Sequence, residues 1–161
     1  MNTSFEIFPL PPTHRDWANR VLEAHWGSTR ILSRWRYHET RDLPAFVAMK
    51  NEEPVGLATY YFEGELCELV TLNSFAEGIG VGEGLLYAVR DAARAARCKK
   101  LWLTTSNDNL PALQFYQKRN MAIVAVHRYA IDEARKENAA IPVLGYHGIP
   151  NRDELELEML L

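Results

Sequence analysis

Residues 78–86 read Gly78-Ile79-Gly80-Val81-Gly82-Glu83-Gly84-Leu85-Leu86, and they crowd four glycines into seven positions ahead of a helical pattern. Apolar residues follow at positions 85, 89, 92 and 96, the spacing of an amphipathic helix. A glycine-rich turn into a helix is an anion site on physical grounds, because the first helical N–H groups lack partners and the dipole adds about half a positive charge there. Glycine also lets the backbone approach a phosphate closely. A tight turn that needs positive φ is the other explanation for these glycines.

Two common phosphate-binding motifs do not fit this loop. The dinucleotide pattern G-x-G-x-x-G needs a third glycine at position 83 or 85, where the chain has Glu83 and Leu85. The Walker pattern needs a Gly-Lys-Ser or Gly-Lys-Thr ending, which the loop lacks. Neither motif therefore explains the four glycines.

The segments on either side of the loop predict a strand, the loop, a helix and a second strand. Residues 65–72 and 101–105 have the apolar pattern of strands, and a crossover of this kind is parallel and right-handed. Residues 154–161 alternate leucine or methionine with glutamate, so we expect a half-exposed strand there. The connection 130–153 is long for a small domain and is a candidate wall of a substrate pocket. The remaining predictions are strands at 5–10, 55–62 and 121–129, an apolar run at 46–49 that joins an antiparallel meander, and helices at 16–24, within 26–41, at 109–119 and at 133–138.

Composition excludes several classes of protein. The 161 residues carry 18 Lys and Arg against 21 Asp and Glu, a formal charge of −3, which argues against a general nucleic-acid binder. The longest apolar run, residues 121–126, is far shorter than the roughly 20 residues that span a bilayer. Cys67 and Cys98 are too few for a disulfide scaffold and are interpreted as buried thiols, and the histidines lack the i, i+3 or i, i+4 spacing of a helical metal site. We expect one cytoplasmic domain over residues 1–161.

The glycine loop and a helix downstream of it together resemble the GCN5-related N-acetyltransferases, the GNAT superfamily. The loop is similar to that family's coenzyme A pyrophosphate loop, whose pattern is Gln/Arg-x-x-Gly-x-Gly/Ala before a helix with paired leucines. The family's second motif, Asn-x-x-Ala-x-x-apolar-Tyr, matches Asn109, Ala112, Phe115 and Tyr116. Both motifs stand in the family's order, and the similar segment covers about 40% of the chain. Residues 149–154 are similar to a bacterial branch of the superfamily, which implies no particular acceptor.

The resemblance implies an α/β fold of the α+β type, with a mixed, mostly antiparallel central sheet flanked by helices and one parallel β-loop-α-β crossover. It implies transfer of an acetyl group from acetyl-CoA, as cosubstrate, to a primary amine of a small molecule or a protein in a direct ternary complex, without a metal. No nucleic-acid or membrane partner is expected, and a homodimer is left open. The coenzyme contacts that it implies are Val70, Thr71, Leu72, Glu77, Gly78, Ile79, Gly80, Val81, Gly82, Asn109, Ala112, Phe115 and Tyr116.

Two residues carry the chemistry that the resemblance implies. Tyr116 takes the family's general-acid position and would protonate the leaving thiolate, with a packed core tyrosine as the other explanation. Glu68 is expected on the same strand face as Val70 and Leu72, where some family members have a catalytic glutamate. A solvated strand carboxylate explains Glu68 equally well, and the amine proton can instead leave through water.

Two positions depart from the family pattern. Glu77 stands where the family has Gln or Arg, and a carboxylate beside a pyrophosphate is unfavourable unless it turns to solvent or pairs with a cation. It favours the alternative function, a non-catalytic acyl-CoA-binding or regulatory module. Asn120 replaces the glycine that usually ends the second helix, and we expect it to adopt the left-handed conformation there.

Overall fold

The structure is a computed structural model, and it describes residues 4–161. This part of the chain contains nine strands and four α-helices. In chain order they are β1 (Glu6–Pro9), α1 (Arg15–Trp26), β2 (Arg30–Ser33), β3 (Arg36–Glu39), β4 (Ala45–Lys50), β5 (Glu53–Glu63), β6 (Leu66–Ser74), α2 (Val81–Ala95), β7 (Lys100–Ser106), α3 (Leu110–Gln117), β8 (Ala122–His127), α4 (Ala130–Glu137) and β9 (Glu154–Leu160).

The sheet has the order β1-β4-β5-β6-β7-β9-β8, and β2 and β3 form a separate two-stranded hairpin. The pairs β1–β4, β4–β5, β5–β6 and β8–β9 are antiparallel. The helix α2 connects the neighbouring strands β6 and β7, and such a crossover makes them a parallel pair. The predicted mixed, mostly antiparallel sheet with one parallel crossover is therefore confirmed.

The chain divides into two compact units. The first contains residues 4–19, 41–101 and Leu161, and the second contains residues 20–40 and 102–160. None of the helices in residues 4–161 is long and apolar enough to cross a bilayer.

In the first unit, α2 packs on β5 and β6 at very short range. Val81 and Leu85 at the start of α2 are almost fully buried. A Cβ on Gly56 of β5 would lie 2.6 Å from Val81 Cγ1 and 2.8 Å from Leu85 Cδ1. Because only glycine leaves this space, the sequence at position 56 sets how closely the first turn of α2 approaches the sheet. The glycine loop is thereby held at the end of β6.

The second unit contains a hairpin where the sequence analysis expected a short helix within residues 26–41. β2 and β3 pair from Arg30–Glu39 to Ser33–Arg36, and the turn residues Arg34 and Trp35 have φ of 50° and 63°. Such turns usually carry Asn-Gly, so this sequence shows no hairpin signal. The helix prediction is wrong, because contacts distant in sequence hold the turn. The Arg34 guanidinium lies 4.8 Å from the Trp102 ring centre and 3.6 Å from Glu156.

The strand β9 is more buried than its alternating pattern indicates. Glu154 and Glu156 are only 2% and 8% exposed, so the expected half-exposed strand is wrong for these two glutamates, while Glu158 is half-buried as expected. His127 Nε2 lies 2.7 Å from Glu156 Oε2, and the backbone N–H of Arg34 points to Glu154 Oε2 at 3.4 Å. Buried carboxylates are tolerated when such polar partners replace water.

Candidate functional site

The backbone at Gly78 and Gly80, called the cradle below, lies uncovered just before α2. Gly78 and Gly80 have φ of 74° and 87°, which L side chains rarely adopt, and a Cβ on either would meet no atom within 4 Å. Gly80 is the N-cap of α2 and contributes no side chain to the cap. The loop backbone at these two positions is therefore not covered by other atoms of the protein, and the first N–H groups of α2 have no partners within the helix. This arrangement suits an anion such as a phosphate.

The remaining loop residues differ in exposure. Glu77 is exposed, and within the described residues it makes no ion pair. Because this carboxylate is exposed to solvent, it is compatible with a phosphate bound at the loop. Ile79 is half-buried, Val81 is 1% exposed in the core beneath α2, and Gly82 follows in the first helical turn. The loop thus exposes its backbone while Val81 anchors it.

A β-bulge interrupts β6 just before the loop. Thr71 pairs with Thr59 of β5, while Leu69 pairs with Tyr60, so Val70 is an extra residue with no partner on β5. The side-chain oxygens of Thr59 and Thr71 lie 2.6 Å apart and fasten the strands beside the bulge. A bulge leaves its extra residue outside the ladder and redirects the strand. Backbone groups around Val70 are thus available for a role other than sheet pairing with β5.

The same bulge changes the face on which Glu68 lies. Glu68 pairs with Tyr61, two residues along β5 from Thr59, so it shares the face of Thr59 and Thr71. Leu72 pairs with Ala58 and therefore lies on the other face. The expected common face of Glu68, Val70 and Leu72 is wrong, because one extra residue reverses the alternation. Glu68 is buried, with 2% exposure.

The second unit holds the other set of candidate residues on α3. The Asn109 side chain caps this helix, because its Oδ1 accepts the N–H of Ala112 at 3.2 Å. Phe115 and Tyr116 follow with their rings edge to face, 5.1 Å between centres. Burial raises the pKa of the Tyr116 hydroxyl above its ordinary value, so the phenol stays neutral at physiological pH. A neutral buried phenol is suited to donate a hydrogen bond or a proton.

The end of α3 confirms the expectation for Asn120. This residue has φ of 64°, the left-handed conformation, and the N–H of Met121 bonds back to the carbonyl of Tyr116 at 3.2 Å. Asparagine replaces the usual glycine here because its short side chain tolerates that conformation. The candidate residues thus fall into two sets, one around β6 and the loop in the first unit and one on α3 in the second.

Comparison with known proteins identifies the family. Residues 12–121 match the model of the Acetyltransferase (GNAT) family. The chain belongs to this family. The uncharacterized protein YxbD of Bacillus subtilis (strain 168) is 35% identical over 152 residues, which cover 94% of this chain and 96% of the relative. A second protein of that organism, YdhI, is 36% identical over 132 residues, covering 81% and 82%.

Solved GNAT structures share the fold. An IAA acetyltransferase from Bacillus cereus ATCC 14579 matches with a TM-score of 0.71 and 19% identity, over 98% of this chain and 100% of that one. A GNAT family acetyltransferase from Elizabethkingia anophelis, with acetyl-CoA bound, matches with a TM-score of 0.71 and 21% identity over the full length of both chains. At these identities the likeness is one of fold.

The described residues hold few candidates for metal ligation or thiol chemistry. Within residues 4–161, no three His, Cys, Asp or Glu side chains form a group able to hold a metal ion. Cys67 and Cys98 are free and buried, as interpreted from the sequence. Burial raises the pKa of the Cys67 thiol to about 12, with smaller contributions from the charges of Cys98 and Glu68. A thiol held neutral in this way is a poor nucleophile.

This raised pKa predicts a loss of stability at alkaline pH. The ordinary thiol pKa is 9.0 and the folded value about 12, so above pH 9 the unfolded chain releases a proton that the folded chain keeps. The contribution of the neutral Cys67 thiol to the free energy of unfolding is fully present below pH 9. It is lost as the pH rises toward 12, by roughly 1.4 kcal/mol per pH unit. Urea unfolding of wild type and Cys67→Ala at several pH values measures it. We expect the free energy of unfolding to decline less steeply with alkaline pH in the variant. Equal declines in the two proteins would contradict a raised pKa of Cys67.

Sequence reasoning missed two features of the site. The bulge at Val70 leaves no mark in the sequence, since valine is an ordinary strand residue. Asn107 and Asp108, which precede the capping Asn109, were not predicted as site residues, although both side chains bond to the long connection after α4. An Asn-Asp-Asn run directly after a strand was the available signal, because these residues bond readily to nearby backbone.

Proposed function

We propose that this GNAT-family protein transfers an acetyl group from acetyl-CoA to a primary amine in a direct ternary complex. The observation that carries the proposal is the cradle at Gly78 and Gly80, whose positive φ and open space leave the N-terminus of α2 free to bind a pyrophosphate. Bound acetyl-CoA supplies a thioester, the acyl donor. Asn109, Ala112 and Phe115 are proposed as further coenzyme contacts from α3.

The backbone around the bulge is proposed to stabilise the reaction's oxyanion. Attack of an amine on a thioester places negative charge on the carbonyl oxygen, and backbone N–H groups are effective donors to such an oxygen. Val70 lies outside the ladder with β5, which supports this role for its backbone; the adjoining Thr71 and Leu72, which pair with β5, are proposed as further coenzyme contacts. The Thr59–Thr71 contact keeps these groups fixed, so they need no reorganisation as charge develops.

Tyr116 is proposed as the proton donor to the leaving thiolate. Its neutral hydroxyl is maintained by burial, which raises its pKa. The attacking amine must lose a proton, because an alkyl amine with a pKa near about 10 is mostly protonated at neutral pH. Glu68 stays a candidate for accepting this proton, and release to water is the other route.

The test measures binding and turnover separately. Acetyl-CoA at 100 times its Kd is expected to stabilise the fold by about 2.7 kcal/mol, which a thermal or urea unfolding series detects. Release of free coenzyme A thiol is then followed with a panel of primary amines, polyamines, aminoglycosides and peptides. Matched tertiary amines, which give no stable amide, serve as controls.

The outcomes separate two functions. Turnover with primary amines and none with the tertiary controls supports the acetyltransferase. Tight binding without turnover on any amine would instead support a non-catalytic acyl-CoA-binding or regulatory module, the alternative that the replacement of the family's Gln or Arg by Glu77 suggests from the sequence. Absence of any stabilisation by acetyl-CoA would contradict both functions.

A further inference from the structure

The long connection after α4 is bonded to the turn between β7 and α3 through Asn107. The Asn107 side chain donates to the carbonyl of Pro150 at 2.9 Å and accepts the N–H groups of Arg152 at 3.0 Å and Asp153 at 2.9 Å. Its own N–H donates to the carbonyl of Asp153 at 2.9 Å. One side chain therefore satisfies three backbone groups of the connection, far more than a solvated turn residue needs.

Asp108 makes a second bond to the same connection. It is 3% exposed, and its Oδ2 accepts the N–H of Tyr146 at 3.0 Å. Within the described residues its other oxygen, Oδ1, has no hydrogen-bond partner. A Cβ on Gly145 would lie 1.7 Å from Oδ2, so the connection contacts Asp108 with bare backbone. Burying a side chain with one oxygen unpartnered costs stability, so the bond from Oδ2 to Tyr146 points to a role other than stability.

The connection itself is firmly built. Arg135 of α4 donates to the carbonyls of Ile141 at 3.0 Å and Asn151 at 2.6 Å. Backbone bonds join Gly145 to Ile149 and Asn151 to Val143, at 2.9 Å each. The segment that Asn107 and Asp108 bind is thus a stiff support and not a loose loop.

We propose that Asn107 and Asp108 are positioning residues for acetyl-CoA binding, which hold the start of α3 in one orientation by bonding it to residues 145–153. Asn109 follows them directly, and its cap on Ala112 fixes the first turn of the helix that carries Tyr116. The inference rests on the proposed function. The long connection then orients the coenzyme-binding residues of α3, which lie outside the connection itself.

The test compares Asn107→Ala, Asp108→Ala and Asp108→Asn with a matched control. Asn138→Ala is the control, because Asn138 lies at the start of the connection and does not touch the β7–α3 turn. Its side chain donates to the carbonyl of Trp26 at 2.9 Å and accepts the N–H of Ala140 at 3.1 Å. Calorimetry on the full chain gives the Kd for acetyl-CoA, and amide hydrogen exchange of the Ala112 N–H, without ligand, reports the orientation of the cap. Unfolding curves give the stability of each variant.

Asn107→Ala and Asp108→Ala are expected to raise the Kd by about tenfold or more and to speed exchange at Ala112. Asp108→Asn, which keeps an acceptor for Tyr146, should restore the Kd to within about twofold, and Asn138→Ala should also stay within about twofold. An unchanged Kd in both alanine variants, or the same loss in Asn138→Ala, would overturn the positioning role. If Asn107→Ala does not fold, the two Asp108 variants decide. Wild type that binds no acetyl-CoA would overturn the proposed function itself, and the positioning role with it.

Discussion

Replacing Gly80 by valine is expected to weaken acetyl-CoA binding by about a hundredfold or more while the chain still folds. Gly80 has φ of 87° at the N-cap of α2, and a β-branched residue cannot adopt this conformation without strain. The backbone at the N-cap must therefore shift, and the added side chain occupies space beside the loop that is open in the wild type. Both effects act on the proposed pyrophosphate site, and calorimetric titration with acetyl-CoA measures them together.

Gly64→Val is the matched control for this strain. Gly64 lies in the turn between β5 and β6, has φ of 58° and, like Gly80, has no atom within 4 Å of an added Cβ. Its substitution costs a comparable amount of stability, of order 1–3 kcal/mol, at the opposite end of β6 from the loop. Urea unfolding should show similar destabilisation of both variants, but only Gly80→Val should lose affinity. Equal affinity in the two variants would remove the loop from the coenzyme site.

Tyr116→Phe is expected to lower kcat by about a hundredfold with almost no change in the Kd for acetyl-CoA. The substitution removes only the hydroxyl and keeps the ring against Phe115, so the packing of α3 is retained. The loss falls on kcat because a proton donor to the thiolate acts in the transition state and contributes little to ground-state binding. Steady-state kinetics beside calorimetric Kd values separate the two quantities.

Tyr87→Phe provides the control for loss of a tyrosine hydroxyl. Tyr87 lies half-buried on α2, with the Arg90 guanidinium 4.3 Å from its ring centre, and within the described residues its hydroxyl makes no hydrogen bond. Its variant should keep the wild-type kcat. Since burial raises the pKa of Tyr116, wild-type kcat should also show no loss from phenol ionisation below about pH 10. An unaltered kcat in Tyr116→Phe would show that another group protonates the thiolate.

Local patterns in the sequence predicted the crossover and the helix with the second motif. The glycines of the loop, the apolar spacing of α2 and the cap at Asn109 are all signals between residues close in the chain, and each appears in the structure near its expected place. The left-handed conformation of Asn120 is likewise predicted by residues close in the chain, because it lies at the end of a helix. These features depend on backbone conformation and helix periodicity, which neighbouring residues determine.

Two expectations failed where residues distant in the chain decide the outcome. The turn at Arg34 and Trp35 carries none of the usual turn residues, and an ion pair with Glu156 from the far end of the chain accompanies it. Glu156 of β9 is buried because the His127 ring replaces water around its carboxylate. Periodicity reports which residues are apolar but not which polar residues will find partners.

By itself, the sequence determined the family, the order of strand, loop and helix, and the residues proposed to hold the coenzyme. Only the tertiary structure decided that β6 carries a bulge at Val70, and with it the face of Glu68. It also decided that the connection 145–153 binds the turn at Asn107 and Asp108. The physical reason is the same in both cases. Register between strands and bonds between loops depend on groups far apart in the chain, and such groups become neighbours only when the core is packed.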